Sequence, residues 1–302
     1  FRYQHPDFRV PDRGYGYLKE TGGTVNASIL ADITGGLLNI GDTLHTNVYR
    51  DTGYLGGANY QVVAAATGTD DGGSFIDAGT LQLQAVFGNT VDVAQFGANT
   101  LDAGAGNVTA INAAIAYLGS ITAGDIAGGT VTVSERLLID DTIVINNKAI
   151  TVESTAGGFA HAQLANSANN SGMDQGSLRW AGPAGIPMVQ ISQTLGATWR
   201  LPMQGSSVAI GGAAPISYID ILDPGVNLPD NQSTRIERCR LGGVGQGNTG
   251  YRADNGIRVL GSTGNDRLFI EGVEIIGTTA TGIDFQNPNA IWTSMKDILV
   301  SG

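Results

Sequence analysis

The chain has 302 residues, enough to bury a sizeable core and to hold one or two domains. Glycine supplies 45 of them, yet 42% are apolar and only 14% charged, which argues against disorder and suits many short strands joined by tight turns. A net charge of -11 with no Lys/Arg cluster argues against nucleic acid and anionic membrane as partners.

A single cysteine, Cys239, excludes an internal disulfide framework and a cysteine-built zinc site. The scattered His5, His45 and His161 do not replace those ligands. No apolar run is long enough to span a bilayer, no secretory signal is present, and membrane insertion is not expected. With so few charges, the surface is expected to be rich in Ser, Thr, Asn, Gln and Gly, which suits contacts with sugars and with other copies of the chain.

Residues 1–23 form the first section, rich in Arg and Tyr at its start: Phe1-Arg-Tyr-Gln-His-Pro, then Arg13-Gly-Tyr-Gly-Tyr17. It has no clear period and reads as an extended arm or a first strand. The sharper reading is a segment that attaches the protein to a larger particle. The chain starts at Phe1 and ends inside a strand-like pattern, Val300-Ser-Gly302, so a processed chain or part of a longer one is expected.

Residues 24–90 read as a small β-rich module. Gly35-Gly36-Leu37-Leu38-Asn39-Ile40-Gly41-Asp42 leads through a turn into the alternating Thr43-Leu-His-Thr46. Gly56-Gly57 precedes Tyr60-Gln-Val-Val63, and Asp71-Gly72-Gly73 precedes Ser74-Phe-Ile-Asp77. Neither glycine pair is a phosphate loop, because no Gly-Lys-Ser/Thr follows. They read as turns.

Residues 91–302 form the third section. Val91-Asp-Val-Ala-Gln-Phe-Gly-Ala98 is a short strand and its exit. A helix follows, with Val108, Ile111, Ile115 and Leu118 on one face. Asn107 is placed to cap its start and Gly119 to stop it. Gly128-Gly-Thr-Val-Thr-Val133 then opens a long run of strands.

This order of pieces, over residues 36–152, resembles the head module and β-helix entry of phage tailspikes of the pectate-lyase-like superfamily. It rests on Gly41-Asp42, Gly56-Gly57, Val62-Val63, Asp71-Gly72-Gly73, Phe96-Gly97-Ala98, the Ala/Ile-rich helix and the Gly-Gly-x-Val-x-Val strand. One departure stands out. The family usually has paired aspartates and a Thr before the helix, where this chain has Asp102-Ala-Gly-Ala-Gly106-Asn107, with Thr109 one turn in. The resemblance implies an all-β fold in which a helix caps a right-handed, single-stranded parallel β-helix. It also implies a homotrimer, with other phage tail proteins docked through the N-terminal region.

Repetition carries the rest of the chain. Strand-like segments recur at 130–133, 149–153, 178–180, 188–191, 198–201 and 216–221. Ile236-Glu-Arg-Cys-Arg-Leu241, Ile270-Glu-Gly-Val-Glu-Ile275 and Met295-Lys-Asp-Ile-Leu-Val300 share one template, apolar at i, i+3 and i+5. Gly256-Ile-Arg-Val259 and Gly282-Ile-Asp-Phe285 share a second. Two interleaved templates at one period read as two faces of a coil whose rungs bury their apolar sides by stacking. Cys239 then lies in line with Val273 and Ile298 as a small core residue. A last rung ending at Gly302 would need further chain or a partner to cover it. Residues 155–177 and 205–233 read as loops, where solenoids commonly build binding sites.

Glu237, Glu271 and Lys296 share one template place and so are expected to line up on an outer face, as a solvated ladder. Asp254, Asp266 and Asp284 fall at turns or strand ends, with Arg252, Arg258 and Arg267 near enough to pair with acids. The glycan-contact candidates are Asp254, Glu271 and Asp284. No Ser-His-Asp set, metal-ligand cluster or cofactor motif is present, so no catalytic residue is named and no cofactor is expected. Three readings stay open. The resemblance implies a virion tail component that attaches the phage to a host surface polysaccharide, with or without cleaving it. The second is a non-enzymatic virion stalk, and the third a secreted polysaccharide lyase.

Overall fold

The structure is a computed structural model. It describes residues 13–100, 102, 104–120, 128–146, 149–155, 176–192, 196–206, 213–222, 233–242, 252–261, 267–288 and 293–301. The loops read at 155–177 and 205–233 lie largely outside the described residues, as does Asp266. The chain divides into two compact units, 1–88 with 94–97, and 89–93 with 98–302.

The first unit is a five-stranded sheet with one helix. Its strands are β1 (Arg13–Lys19), β2 (Thr43–Arg50), β3 (Asn59–Ala64), β4 (Phe75–Ala78) and β5 (Leu81–Ala85), in the order β1-β2-β3-β5-β4. β1 runs parallel to β2 and the other pairs are antiparallel. Part of the segment read as an arm is therefore an edge strand. Arg13 and Tyr15 on β1 both donate to Asp32, each at 2.6 Å. Asp32 belongs to α1 (Ala27–Thr34), a helix that the sequence pattern did not reveal. The Asn26 side chain caps it by accepting the Ser28 N–H, and Ile29 and Ile33, four apart, enter the core beside Leu44, Tyr60, Val62 and Leu83.

Asp71-Gly72-Gly73 is a tight bend as expected, whereas Gly56 forms an antiparallel bridge with Val48. The Asp71 carboxylate accepts the N–H groups of Gly73 at 2.9 Å and Ser74 at 2.7 Å, a local Asx turn with no outward anion cradle. Gly73 is required by close approach, since a Cβ there would stand 2.1 Å from the Phe96 ring.

The second unit is a parallel β-helix. Its capping helix α2 spans Ala105–Ser120, longer at both ends than the sequence reading. Asn107 is consequently not the cap. It lies buried in the first turn, accepts the Asn99 N–H at 2.8 Å and donates to the Leu138 carbonyl at 2.9 Å, tying the helix to the first rung. Asp102 occupies the helix start, and a Cβ on Gly106 would lie 2.8 Å from its Oδ2. Gly119 falls inside the helix instead of stopping it. Val108, Ile111, Ile115 and Leu118 are buried, as expected.

The coil has three faces, not two. Sheet I stacks, in order, Thr90–Asp92, Gly128–Val133, Ala149–Ser154, Thr198–Arg200, Arg235–Glu237, Phe269–Glu271 and Ser294–Lys296. Sheet II runs from Arg136–Ile139 through Ser177–Trp180, Met203–Gln204, Arg240–Leu241 and Glu274–Ile276 to Leu299–Ser301. Sheet III runs from Ile143–Asn146 through Pro187–Ser192, Ser217–Ile221 and Ala253–Val259 to Thr278–Phe285. The first template turns a corner between sheets I and II, while the second lies on sheet III. Parallel in-register pairing makes continuous inward ladders. On sheet I the ladder reads Val131, Val152, Trp199, Ile236, Ile270, Met295. On sheet II it reads Leu137, Leu178, Met203, Leu241, Ile275, Val300.

Cys239 and Val273 are fully buried, and burial pushes the Cys239 thiol up, as suits a core residue. In the last described rung, Met295 and Val300 keep the register but are 46% and 50% exposed, since among the described residues no strand stacks above them. Among the described residues no helix is long and apolar enough to cross a membrane.

Candidate functional site

Parallel pairing lines up outward side chains as strictly as inward ones. Sheet I therefore presents two outer columns. The first reads Thr90, Thr130, Thr151, Thr198, Arg235, Phe269, Ser294. Its second column reads Asp92, Thr132, Glu153, Arg200, Glu237, Glu271, Lys296. The expected alignment of Glu237, Glu271 and Lys296 is thus observed.

This second column is a charge ladder. Arg200 reaches Glu153 at 3.3 Å and Glu237 at 2.5 Å, with a further bond from Nε to Glu237 at 2.8 Å. Glu271 is half exposed and meets Lys296 at 3.2 Å. Glu237 and Glu271 sit on neighbouring rungs, at the strand spacing of about 4.8 Å. General-acid work, however, calls for a carboxyl in apolar surroundings away from cations. Glu237 sits against Arg200 and Glu271 against Lys296, an arrangement better suited to binding hydroxyls.

The first column changes character along the coil. Four threonines give way to Arg235, whose guanidinium lies 4.3 Å over the ring centroid of Phe269, a cation–π contact. Ser294, on the next rung, is too small to cover the other side of the ring. A cleft of about 380 Å³ opens there, lined by Arg267, Phe269, Thr293 and Ser294. This is near the lower end of small-ligand sites, about 300–1,000 Å³. Phe269 was not singled out in the sequence. Its signal was weak: an aromatic one place before the template's first apolar residue, where Arg235 and Ser294 stand in the neighbouring copies.

The other two glycan-contact candidates lie elsewhere. Asp254 and Asp284 are both on sheet III, flanking Arg258 along the outer face. Asp254 accepts from Thr279 at 2.9 Å and Asp284 from Gln286 at 2.6 Å. Arg258 stands between Asp220 and Asp284 in the ladder and grips Asp220, with Nε at 2.8 Å from Oδ1 and a second, shorter bond to Oδ2. Asp220 is almost wholly buried and also receives Ser217, so the Arg258–Asp220 ion pair is matched within itself. Glu274, on sheet II, pairs with Arg240 through a 2.6 Å bond. The three candidates therefore fall on two faces, Glu271 beside the Phe269 cleft and the two aspartates apart from it.

A second acidic pair had no sequence signal. Burial pushes the Glu135 carboxyl above its ordinary range, and the neighbouring Asp92 charge adds to the shift. Asp92 in turn accepts from Thr132 at 3.1 Å and from Ser134. Among the described residues no group of His, Cys, Asp and Glu is placed to hold a metal ion.

No protein-family model matches the chain, and no curated protein sequence does. Solved structures do match. The enzymatically active domain of bacteriophage CBA120 tailspike protein 2 superposes with a TM-score of 0.56 at 11% identity, over 88% of this chain and 36% of that one. Full-length tailspike protein 2 from an Escherichia coli O157:H7 bacteriophage gives 0.51 at 11% identity, over 90% and 35%. Tailspike protein gp49 of Acinetobacter baumannii bacteriophage Fri1, a capsular polysaccharide depolymerase, gives 0.51 at 16% identity, over 88% and 47%. The fold is tailspike-like, and the chain spans between a third and a half of these tailspikes.

Proposed function

We propose that this tailspike-like chain belongs to a phage tail protein that binds a host surface polysaccharide. The observation that carries the reading is the outer face of sheet I, where an aromatic ring, a cleft and hydrogen-bonding carboxylates stand in register on neighbouring rungs. A pyranose has an apolar C–H side and a rim of hydroxyls, and a ring beside carboxylates and serine suits both. Glu271 belongs to this face. Asp254 and Asp284, on sheet III, stand outside this face. The protein would act as a homotrimer, with residues 1–23 contributing to docking on other tail proteins, in the virion and outside the host cell.

A binding role without cleavage is the second reading. It is favoured by one observation: the outer carboxylates on neighbouring rungs of sheet I, Glu237 and Glu271, are each matched to a cation.

The test is a panel of purified bacterial capsular and O-antigen polysaccharides. Retention of the protein, new reducing ends, unsaturated-sugar absorbance and mass by light scattering are recorded together. A trimer retained by at least one polymer supports the proposal, and new ends add depolymerase activity. Retention by none overturns glycan binding, and a monomer overturns the trimer.

A further inference from the structure

We infer that the open face of the first unit's sheet is the surface on which copies of this chain meet. The inference rests on the homotrimer reading above and names the surface, with a second copy as its occupant.

The first observation is a bare face. Helix α1 covers one side of the sheet, where Ile29 and Ile33 join Leu44, Tyr60 and Leu83 in the core. Strand alternation turns the intervening residues the other way. Register sets Gly14, His45 and Asn59 in one row, which Val86 continues through its N–H bond to the Asn59 carbonyl at 2.9 Å. Gln61 and Gln84 pair in the next row. Gly14, His45, Asn59 and Gln61 are exposed, and Val86 is 61% exposed.

The second observation concerns charge. These rows hold no Lys, Arg, Asp or Glu, in a chain with 27 acidic and 16 basic residues and a net charge of -11. Charged groups of the same strands are placed elsewhere. Arg13 turns to Asp32 on the helix at 2.6 Å, and Asp77 is held at the margin of the sheet, on edge strand β4, by Gln82 at 2.7 Å. Two copies of an acidic chain repel wherever they bring that charge together. A partner of opposite charge is met by acids, whereas an identical acidic chain is met by an uncharged face. Depletion of charge also separates the core of a protein interface from ordinary surface.

The third observation is glycine. Gly14 and Gly16 alternate along β1 on this face. Neither has a left-handed φ, and a Cβ on either would meet nothing within 4 Å. The fold of one chain therefore requires neither. A glycine inside a strand weakens it and often marks close approach by another backbone. Here the two keep the face flat up to the edge of the sheet, where a neighbouring copy can come close.

The test uses two exposed positions, Asn59 on this face and Ala31 on α1. Asn59→Cys and Ala31→Cys are made in the 302-residue protein, whose own Cys239 is fully buried. Light scattering follows mass and a maleimide follows thiol exposure. In the assembled protein the thiol of Asn59→Cys is expected to label tenfold or more slowly than that of Ala31→Cys. Asn59→Glu with Gln61→Glu is expected to raise the concentration at which copies separate tenfold or more. Ala31→Glu with Thr34→Glu, which adds the same charge on the helix, is expected to leave it unchanged. Far-UV circular dichroism checks that both pairs fold. Equal labelling overturns the surface and leaves the homotrimer reading standing. Slow labelling, with association undiminished by Asn59→Glu and Gln61→Glu, shows that something other than a second copy covers the face and also overturns it. A monomeric parent overturns the surface and the homotrimer together.

Discussion

At the scale of single residues, Asp220 and Glu135 show how neighbours decide what a carboxylate does. Asp220 stands in a Ser-Tyr-Ile-Asp-Ile segment that reads from sequence only as a strand, and it is buried against Arg258, a residue 38 positions away. That pairing depends on rung stacking, which no local pattern encodes. Cys239 was legible because its template places it in line with Val273, and both are buried. Glu135 yields a prediction with a definite sign. Its folded-state pKa lies above the unfolded value, so its ionised form opposes folding above that pKa. The penalty is relieved as pH falls through the folded pKa and is gone below the unfolded one. Glu135→Gln should therefore melt higher than the parent at neutral pH, with the gap closing toward the carboxylate range of about 4 to 4.5. Thermal melts across pH check this, and a gap that widens on acidification contradicts it.

At the scale of elements, glycine placement explains the second template. Met188, Tyr218, Gly256 and Gly282 occupy one register position on sheet III. The side chain vanishes at the rungs where sheet II brings in Ile275 and Val300. A Cβ on Gly256 would stand 2.2 Å from the Gly282 carbonyl oxygen and 2.6 Å from Ile275 Cγ2. Gly256→Ala should cost about 1–3 kcal/mol through overpacking, read as a lower melting temperature. An unchanged melt would show that the corner has slack. The Gly-Ile repeat was thus visible in sequence, but its cause was not, since the obstructing atoms belong to the next rung and to another sheet. Helix α1 escaped notice because eight residues with two buried isoleucines give too little period to read. The start of α2 was misplaced because Asn107, a good cap by type, is used to bind the Leu138 carbonyl instead.

At the scale of the whole molecule, the tailspike-like fold was legible from ordered turns and a repeat, since stacking demands an apolar inward residue at every rung. The candidate site was legible only in part. Glu271 emerged because its column repeats as Glu, Glu, Lys in the shared template. Phe269 did not, because its column changes from Thr through Arg to Ser and so has no repeat to find. The measurement that tests the central claim most directly is a binding titration of one retained polysaccharide with the parent, Phe269→Ala and Asp284→Asn, all checked for equal melting. The expected result is binding at least tenfold weaker for Phe269→Ala, equivalent to about 1.4 kcal/mol, and unchanged for Asp284→Asn. Undiminished binding by Phe269→Ala, with loss in Asp284→Asn, would contradict the assignment to sheet I and move the polysaccharide to sheet III.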